Sequence, residues 1–251
     1  MWQQHEVTLK RFLFDAGAPV RRYADTPLHW PNAHAIPNQT ILPMRVLITG
    51  GPSSEPIDRV RLITNSSTGE LAVTLAERFQ RAGHEVELFL GSGARFRIPI
   101  AKYFHTNEDL EKLLVEAAEG PAIHAILHAA ALADFAVADV DGESVVGAKI
   151  PSDRGSVLLR LTAKPKLIGR LRALFPKAYI VGWKLEHEDE DIVHQAAEQI
   201  RLNATDACVV NGTAFGEGFG FCTSAGLVRR AANKSELATL LVEVLSAQPE
   251  A

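Results

Sequence analysis

From Arg45 onward, short runs in which nearly every residue is apolar alternate with longer stretches whose apolar residues recur every three or four positions. Arg45-Val46-Leu47-Ile48-Thr49 is the first such run; it ends in Gly50-Gly51 and predicts a buried strand and its turn. Leu71, Leu75 and Phe79, with Ala72 and Ala76 beside them, fall on one helical face, and Gly83 predicts the stop. Glu85 to Leu90 reads as a second strand, Asn107 to Ala118 as a helix, and Ala125 to Ala130 as a third buried strand. Val157 to Leu161 predicts another strand, and Pro165 to Phe175 a helix with proline in its first turn. Tyr179 to Trp183 and Ala207 to Val210 read as strands, Asp191 to Asn203 and Ser235 to Leu245 as helices.

Strands that are apolar on both faces need cover on both faces, which an alternating strand–helix order supplies. The expected fold is therefore α/β, a Rossmann-like three-layer sandwich with a mostly parallel central sheet. Ligands in such sheets collect outside the carboxyl ends of the strands. Chemistry is accordingly sought in the loops after Thr49, Ala130, Trp183 and Val210. Residues 1–43 break the pattern: Pro19, Pro27, Pro31, Pro37 and Pro43 interrupt a stretch with no sustained period, which predicts a proline-containing extension with a short helix at most. Residues 44–251 are expected to form the nucleotide-binding domain, and Met44 marks a point where a compact domain could begin.

Composition narrows the partners. Of the 251 residues 47% are hydrophobic and 22% charged, an ordinary globular balance. The formal charge of −4 and basic runs no longer than the pairs Arg21-Arg22 and Arg229-Arg230 argue against nucleic acid. No stretch reaches the ~18 consecutive apolar residues of a membrane span. Cys208 and Cys222 offer neither metal-ligand spacing nor a disulfide framework, so a reduced, cytoplasmic setting is expected.

The segment after the first strand, GGPSSEPIDRVRLITNSSTGEL, lacks the three spaced glycines of a dinucleotide fingerprint, and no tyrosine stands four residues before a lysine. Nicotinamide chemistry is thus disfavoured. Asn65-Ser66-Ser67-Thr68-Gly69 instead gathers an amide, three hydroxyls and a glycine just before a helix, where free N–H groups and the helix dipole favour an anion. A plain helix cap would use the same residue types, but Arg61 four residues upstream of Asn65 favours a phosphate site. Three weaker clusters follow. The small residues Ala129 to Ala133 with Asp134 could bed a flat ring and a ribose hydroxyl; Lys149 lies in a loop; Gly182-Trp183-Lys184 closes a strand, where a tryptophan is more often core than a stacking platform.

Taken in order, these pieces resemble phosphopantothenoylcysteine synthetases, in particular the short forms without a fused flavin-dependent decarboxylase. The family stretch GG-x-x-E-x-I-D-x-V-R-x-I-x-N-x-S-x-G is met by Gly50-Gly51, Glu55, Ile57-Asp58, Val60-Arg61, Ile63, Asn65, Ser67 and Gly69. The A-x-S/A-D-F/Y segment is met by Ala131 to Phe135, K-I-x-S by Lys149 to Ser152, the P-K helix start by Pro165-Lys166, and G-F-K-L by Gly182 to Leu185.

The resemblance implies a ligase that joins 4'-phosphopantothenate to L-cysteine through an acyl-nucleotide, in coenzyme A biosynthesis. It implies CTP as co-substrate, with ATP as the alternative, Mg²⁺ carried with the nucleotide, no flavin, and a homodimer in which a neighbour's loop completes each site. Asn65, Lys149 and Arg61 are the implied catalytic residues. Ser66, Ser67, Thr68 and Gly69 would cradle phosphate, Ala130, Asp134, Lys149 and Trp183 would surround base and ribose, and Gly50, Gly51 and Lys184 belong to the same nucleotide- and phosphate-binding set. The chain departs from the pattern at Pro52, at Glu70, where many members carry Lys or His, and at Gly212, where an A-N-D motif usually ends. A carboxylate beside a phosphate site is unfavourable unless it turns away or meets a cation. The alternative function is therefore a nucleotide-binding homologue that has lost the ligase step.

Overall fold

The computed structural model describes residues 43–143, 149–151, 153, 155–187 and 191–248. The proline-containing stretch up to residue 42 and, from the third motif, Gly147, Ala148 and Ser152 lie outside the described residues. In chain order the elements are β1 (Arg45–Gly50), β2 (Ser54–Pro56), β3 (Leu62–Thr64), α1 (Glu70–Arg81), β4 (Glu85–Gly91), β5 (Ala101–Phe104) and α2 (Asn107–Ala118). They continue with β6 (Ala125–His128), β7 (Phe135–Val140), β8 (Leu159–Ala163), α3 (Ile168–Leu174) and β9 (Tyr179–Leu185). The last are α4 (Ile192–Asn203), β10 (Ala207–Asn211), β11 (Phe219–Thr223), β12 (Gly226–Ala231) and α5 (Lys234–Ser246).

Eight strands form one sheet in the order β12-β11-β10-β9-β6-β1-β4-β5. The six strands from β10 to β5 are parallel, and β11 and β12 extend the sheet antiparallel. Period-two alternation assigns each strand residue to one of two cores. Val46 and Ile48 of β1, with Leu88, Leu127, Val181 and Val209, meet α1 and α5; Leu47, Phe89, Ile126 and Ile180 meet α2 and α3. Cys208 and Val210 pack with Ile192, Ala196 and Ile200 of α4. This is the expected three-layer sandwich. Among the described residues no helix is long and apolar enough to cross a membrane.

Three expectations change. The strand expected at Val157 to Leu161 runs from Leu159 to Ala163 and lies outside the central sheet, paired antiparallel with β7. Strand β9 pairs directly with β6, so the excursion between them forms a separate ribbon. The segment after Gly51, expected as a long loop, folds into the small hairpin β2–β3. Helix α3 is shorter than predicted, because the turn after Pro165 closes through i→i+3 bonds, Gly169 N–H to Lys166 O at 3.3 Å and Arg170 N–H to Leu167 O at 2.9 Å.

Candidate active site

Strand β1 pairs with β4 on one side and β6 on the other, and the chain order runs outward from it in both directions. This is the point at which an open parallel sheet parts its loops and leaves a crevice. A cleft of about 1010 Å³ opens there, at the upper end of the ~300–1,000 Å³ usual for small-molecule sites. Its walls are the β2–β3 hairpin, the turn from Asn65 to Thr68, and the segment around β5 from Ser92 to Thr106.

Gly69 occupies the cap position of α1 at φ 77 and has no side chain to cap the helix; one residue earlier, Thr68 Oγ1 accepts the Glu70 N–H at 3.4 Å. A Cβ at Gly69 would stand 2.7 Å from the Ala94 Cβ, so the position excludes any other residue in two ways. Thr68 O accepts from the N–H groups of Arg95 and Phe96 at 3.0 and 3.1 Å, which joins this turn to the loop after β4. Ser66, Ser67 and Thr68 line the cleft.

Asn65 lines the cleft, and its Nδ2 donates to Ala131 O at 3.1 Å and Leu132 O at 2.9 Å. The loop after β6 is held from two further sides: Ala133 N–H donates to Ser53 Oγ at 2.8 Å, and Asn107 Nδ2 donates to Ala133 O at 2.8 Å. Asn65 therefore couples the first motif to the second.

Asp58 organises the hairpin. Its Oδ1 accepts the N–H groups of Val60 and Arg61, both at 2.8 Å, and its Oδ2 accepts Ile150 N–H at 3.1 Å and the Arg61 guanidinium. Burial pushes its carboxyl up, but these backbone and guanidinium hydrogen bonds prevail and bring it down to about 2. Arg61 Nη1 also reaches Ile150 O at 3.2 Å, so Arg61 is fixed at the cleft edge beside Lys149 and Ile150. Lys164 secures the hairpin from behind: its ammonium, 8% exposed, bonds Glu55, 7% exposed, and Glu108 on α2 at 2.9 Å.

The second half of the expected set does not line this cleft. Gly50 ends β1, and Gly51 O accepts Ala131 N–H at 2.9 Å, beneath the turn. Ala130 is half-buried against the α2–α3 core. Asp134 is exposed and lies 3.8 Å from Lys166; Lys149 is exposed. Lys184 lies 3.7 Å from Glu186. Trp183, expected at the base, packs half-buried against the α1–α5 core, and its buried indole N–H has no hydrogen-bond partner among the described residues.

Sequence reasoning missed Ser92, Gly93, Arg95, Arg97, Tyr103, His105 and Thr106, all of which line the cleft. The signal was available: the loop after Leu90 also follows a strand next to β1. Buried behind the cleft, Thr49 and His128 face each other across β1 and β6 and share a hydrogen bond of 2.8 Å between Oγ1 and Nδ1. Burial brings the imidazole down to about 4.

Two departures from the family pattern acquire a local reason. Glu70 ion-pairs with Lys234 at the start of α5 and lines a separate hollow, so a cation meets its charge. Gly212 sits at φ +111, and a Cβ there would fall 2.1 Å from Glu186 O, which leaves no room for an aspartate.

Residues 42–245 match the family described as the DNA/pantothenate metabolism flavoprotein C-terminal domain. The coenzyme A biosynthesis bifunctional protein CoaBC of Thermococcus kodakarensis is 32% identical over 175 residues, covering 66% of this chain and 41% of that protein. Its counterpart in Methanocaldococcus jannaschii is 30% identical over 171 residues, covering 66% and 40%. The chain thus matches less than half the length of these relatives. The crystal structure of the DNA/pantothenate metabolism flavoprotein from Streptococcus pneumoniae superposes with a TM-score of 0.72 at 25% identity, over 81% of this chain and 99% of that one. With four fifths of its length matched in sequence and the same fold behind the match, the chain belongs to the DNA/pantothenate metabolism flavoprotein C-terminal domain family.

Proposed function

We propose that the protein is a phosphopantothenate–cysteine ligase of coenzyme A biosynthesis. The observation that carries the reading is the cleft at the β1 switch point, where Arg61, Asn65 and a hydroxyl-bearing turn meet. Names of the archaeal relatives, which refer to coenzyme A biosynthesis, support it.

In the proposed first step, a carboxylate oxygen of 4'-phosphopantothenate attacks the α-phosphorus of a nucleoside triphosphate. A P–O bond forms, the bond to the bridging oxygen breaks, and pyrophosphate leaves. In the second, the cysteine amine attacks the acyl carbon, a C–N bond forms, the nucleoside monophosphate leaves, and the ammonium proton is lost. Both steps build negative charge that fixed donors stabilise without reorganising. Ser66, Ser67, Thr68 and the Gly69 backbone are assigned to phosphate, Arg61 to an anionic group of the substrate, and Asn65 to the acyl-nucleotide. Asn65 would also hold Ala131 and Leu132 in register with that intermediate.

Asp134, Lys149, Trp183 and Lys184 remain assigned to the nucleotide, with Lys149 also meeting developing charge. The exposure of Asp134 and Lys149 suits a site completed by a second copy in a homodimer. CTP is the favoured co-substrate. Mg²⁺ would arrive on the triphosphate.

The test is pyrophosphate release, measured with CTP and ATP in parallel. Release that requires 4'-phosphopantothenate, followed by amide formation on adding cysteine, is expected. Nucleotide binding without release would instead mean a homologue that has lost the ligase step.

A further inference from the structure

We propose that the loop after β4 forms a second anion wall of the cleft, where Arg95 and Arg97 take a terminal phosphate beside the turn from Asn65 to Thr68. Four arginines line the cleft (Arg59, Arg61, Arg95 and Arg97), and the one carboxylate among them, Asp58, is already neutralised by Arg61. Neither Arg95 nor Arg97 has a carboxylate partner among the described residues. Unpaired like charges gathered in a concave site focus a field on an anion, and a guanidinium fork matches phosphate oxygens two at a time.

The wall is built rather than loose. Arg97 donates Nε–H to Ala94 O at 3.2 Å and Nη2–H to Ser92 O, and its guanidinium lies over the Tyr103 ring, 5.3 Å from the centroid. His105 Nδ1 shares a 2.7 Å hydrogen bond with Ser92 Oγ, which pins the loop to the segment after β5. The backbone of Arg95 is tied to Thr68 O, so the second wall is held in register with the hydroxyl-bearing turn. Arg95 itself is exposed, and among the described residues its side chain makes no hydrogen bond that holds the fold.

The shared chemistry is a terminal, dianionic phosphate. It has two sources, the end of the nucleotide's triphosphate and the phosphate monoester of the acyl substrate. The choice of these two molecules rests on the ligase reading; the anion wall itself does not.

The experiment is calorimetric binding of CTP, 4'-phosphopantothenate and unphosphorylated pantothenate to the wild type, Arg95→Gln, Arg97→Gln and the off-cleft control Lys177→Gln, with thermal melts to check folding. The affinity of at least one phosphorylated ligand should fall on the order of tenfold in Arg95→Gln, the scale of one charge-assisted hydrogen bond, with pantothenate and the control unchanged. A loss with CTP alone assigns the wall to the triphosphate end, a loss with 4'-phosphopantothenate alone to the monoester, and a loss with both to whichever phosphate is present; each supports the wall. Affinities within twofold of wild type in Arg95→Gln overturn it, as does an equal loss with pantothenate or with Lys177→Gln. Failure of the ligase reading looks different: wild type and variants would differ in phosphate binding while none released pyrophosphate.

Discussion

The buried pair Thr49–His128 makes stability depend on pH in a way that one substitution can isolate. His128 is buried, and loss of hydration brings its pKa to about 4, whereas an unfolded histidine titrates near ~6.5. Between those values the unfolded chain binds a proton that the folded one refuses. The stabilising contribution is therefore fully present above about pH 6.5 and is lost as pH falls toward ~4. At roughly 1.36 kcal/mol per pKa unit the full span is worth about 3 kcal/mol, of which about 2 kcal/mol is gone by pH 5. Against a typical total of ~5–15 kcal/mol this is a large share. His128→Asn keeps a polar atom near the Nδ1 position for the Thr49 hydroxyl but removes the titration. Urea unfolding of both proteins at pH 7.5 and pH 5 reads the difference. His84 is also lowered by burial, so the wild type loses stability from more than one group; only the difference between the two proteins belongs to His128. That difference should be about 2 kcal/mol. Equal losses in both proteins would refute the argument, because the imidazole would then be charged inside the fold or already neutral outside it.

Lys164→Met should destabilise the protein by about 3 kcal/mol in chemical denaturation, since it leaves the Glu55 carboxylate buried and unpaired. Adding Glu55→Gln should restore part of that loss, and no recovery would mean that the lysine acts through packing alone. Asn65→Ala should slow transfer to cysteine more than release of pyrophosphate, because the amide both meets the intermediate and holds the loop at Ala131 and Leu132; turnover at the wild-type rate would remove Asn65 from the site. Gly212→Asp, which restores the usual family residue, should lower rather than raise stability. The side chain meets Glu186 O at a strained φ of +111, costing more than about 1–3 kcal/mol, and an unchanged melting temperature would show that the turn relaxes freely.

Period and punctuation along the chain were enough for the central sandwich. Val46, Leu47 and Ile48 announced a strand buried on both faces, and Leu71, Leu75 and Phe79 a helix to cover one of them, because burial acts on each residue locally through its periodicity. The turn from Asn65 to Gly69 was legible too, since an amide, hydroxyls and a glycine stand directly before the apolar period of α1. The β7–β8 ribbon was not: the burial of Leu159 to Ala163 barely alternates, and its pairing partners run from Val140, paired with Leu159, back to Phe135, paired with Ala163, so nothing local separates it from a sheet strand.

Only the tertiary structure could decide which loops share a cleft. Membership there depends on strand order, and the order around β1 brings the loop after β4, with Arg95 and Arg97, beside the turn from Asn65 to Thr68 while leaving Trp183 half-buried in the core. The fates of Glu70 and Gly212 were likewise set at a distance, by Lys234 and by the Glu186 carbonyl. A sequence lists the charges and the glycines; the fold determines what each one faces.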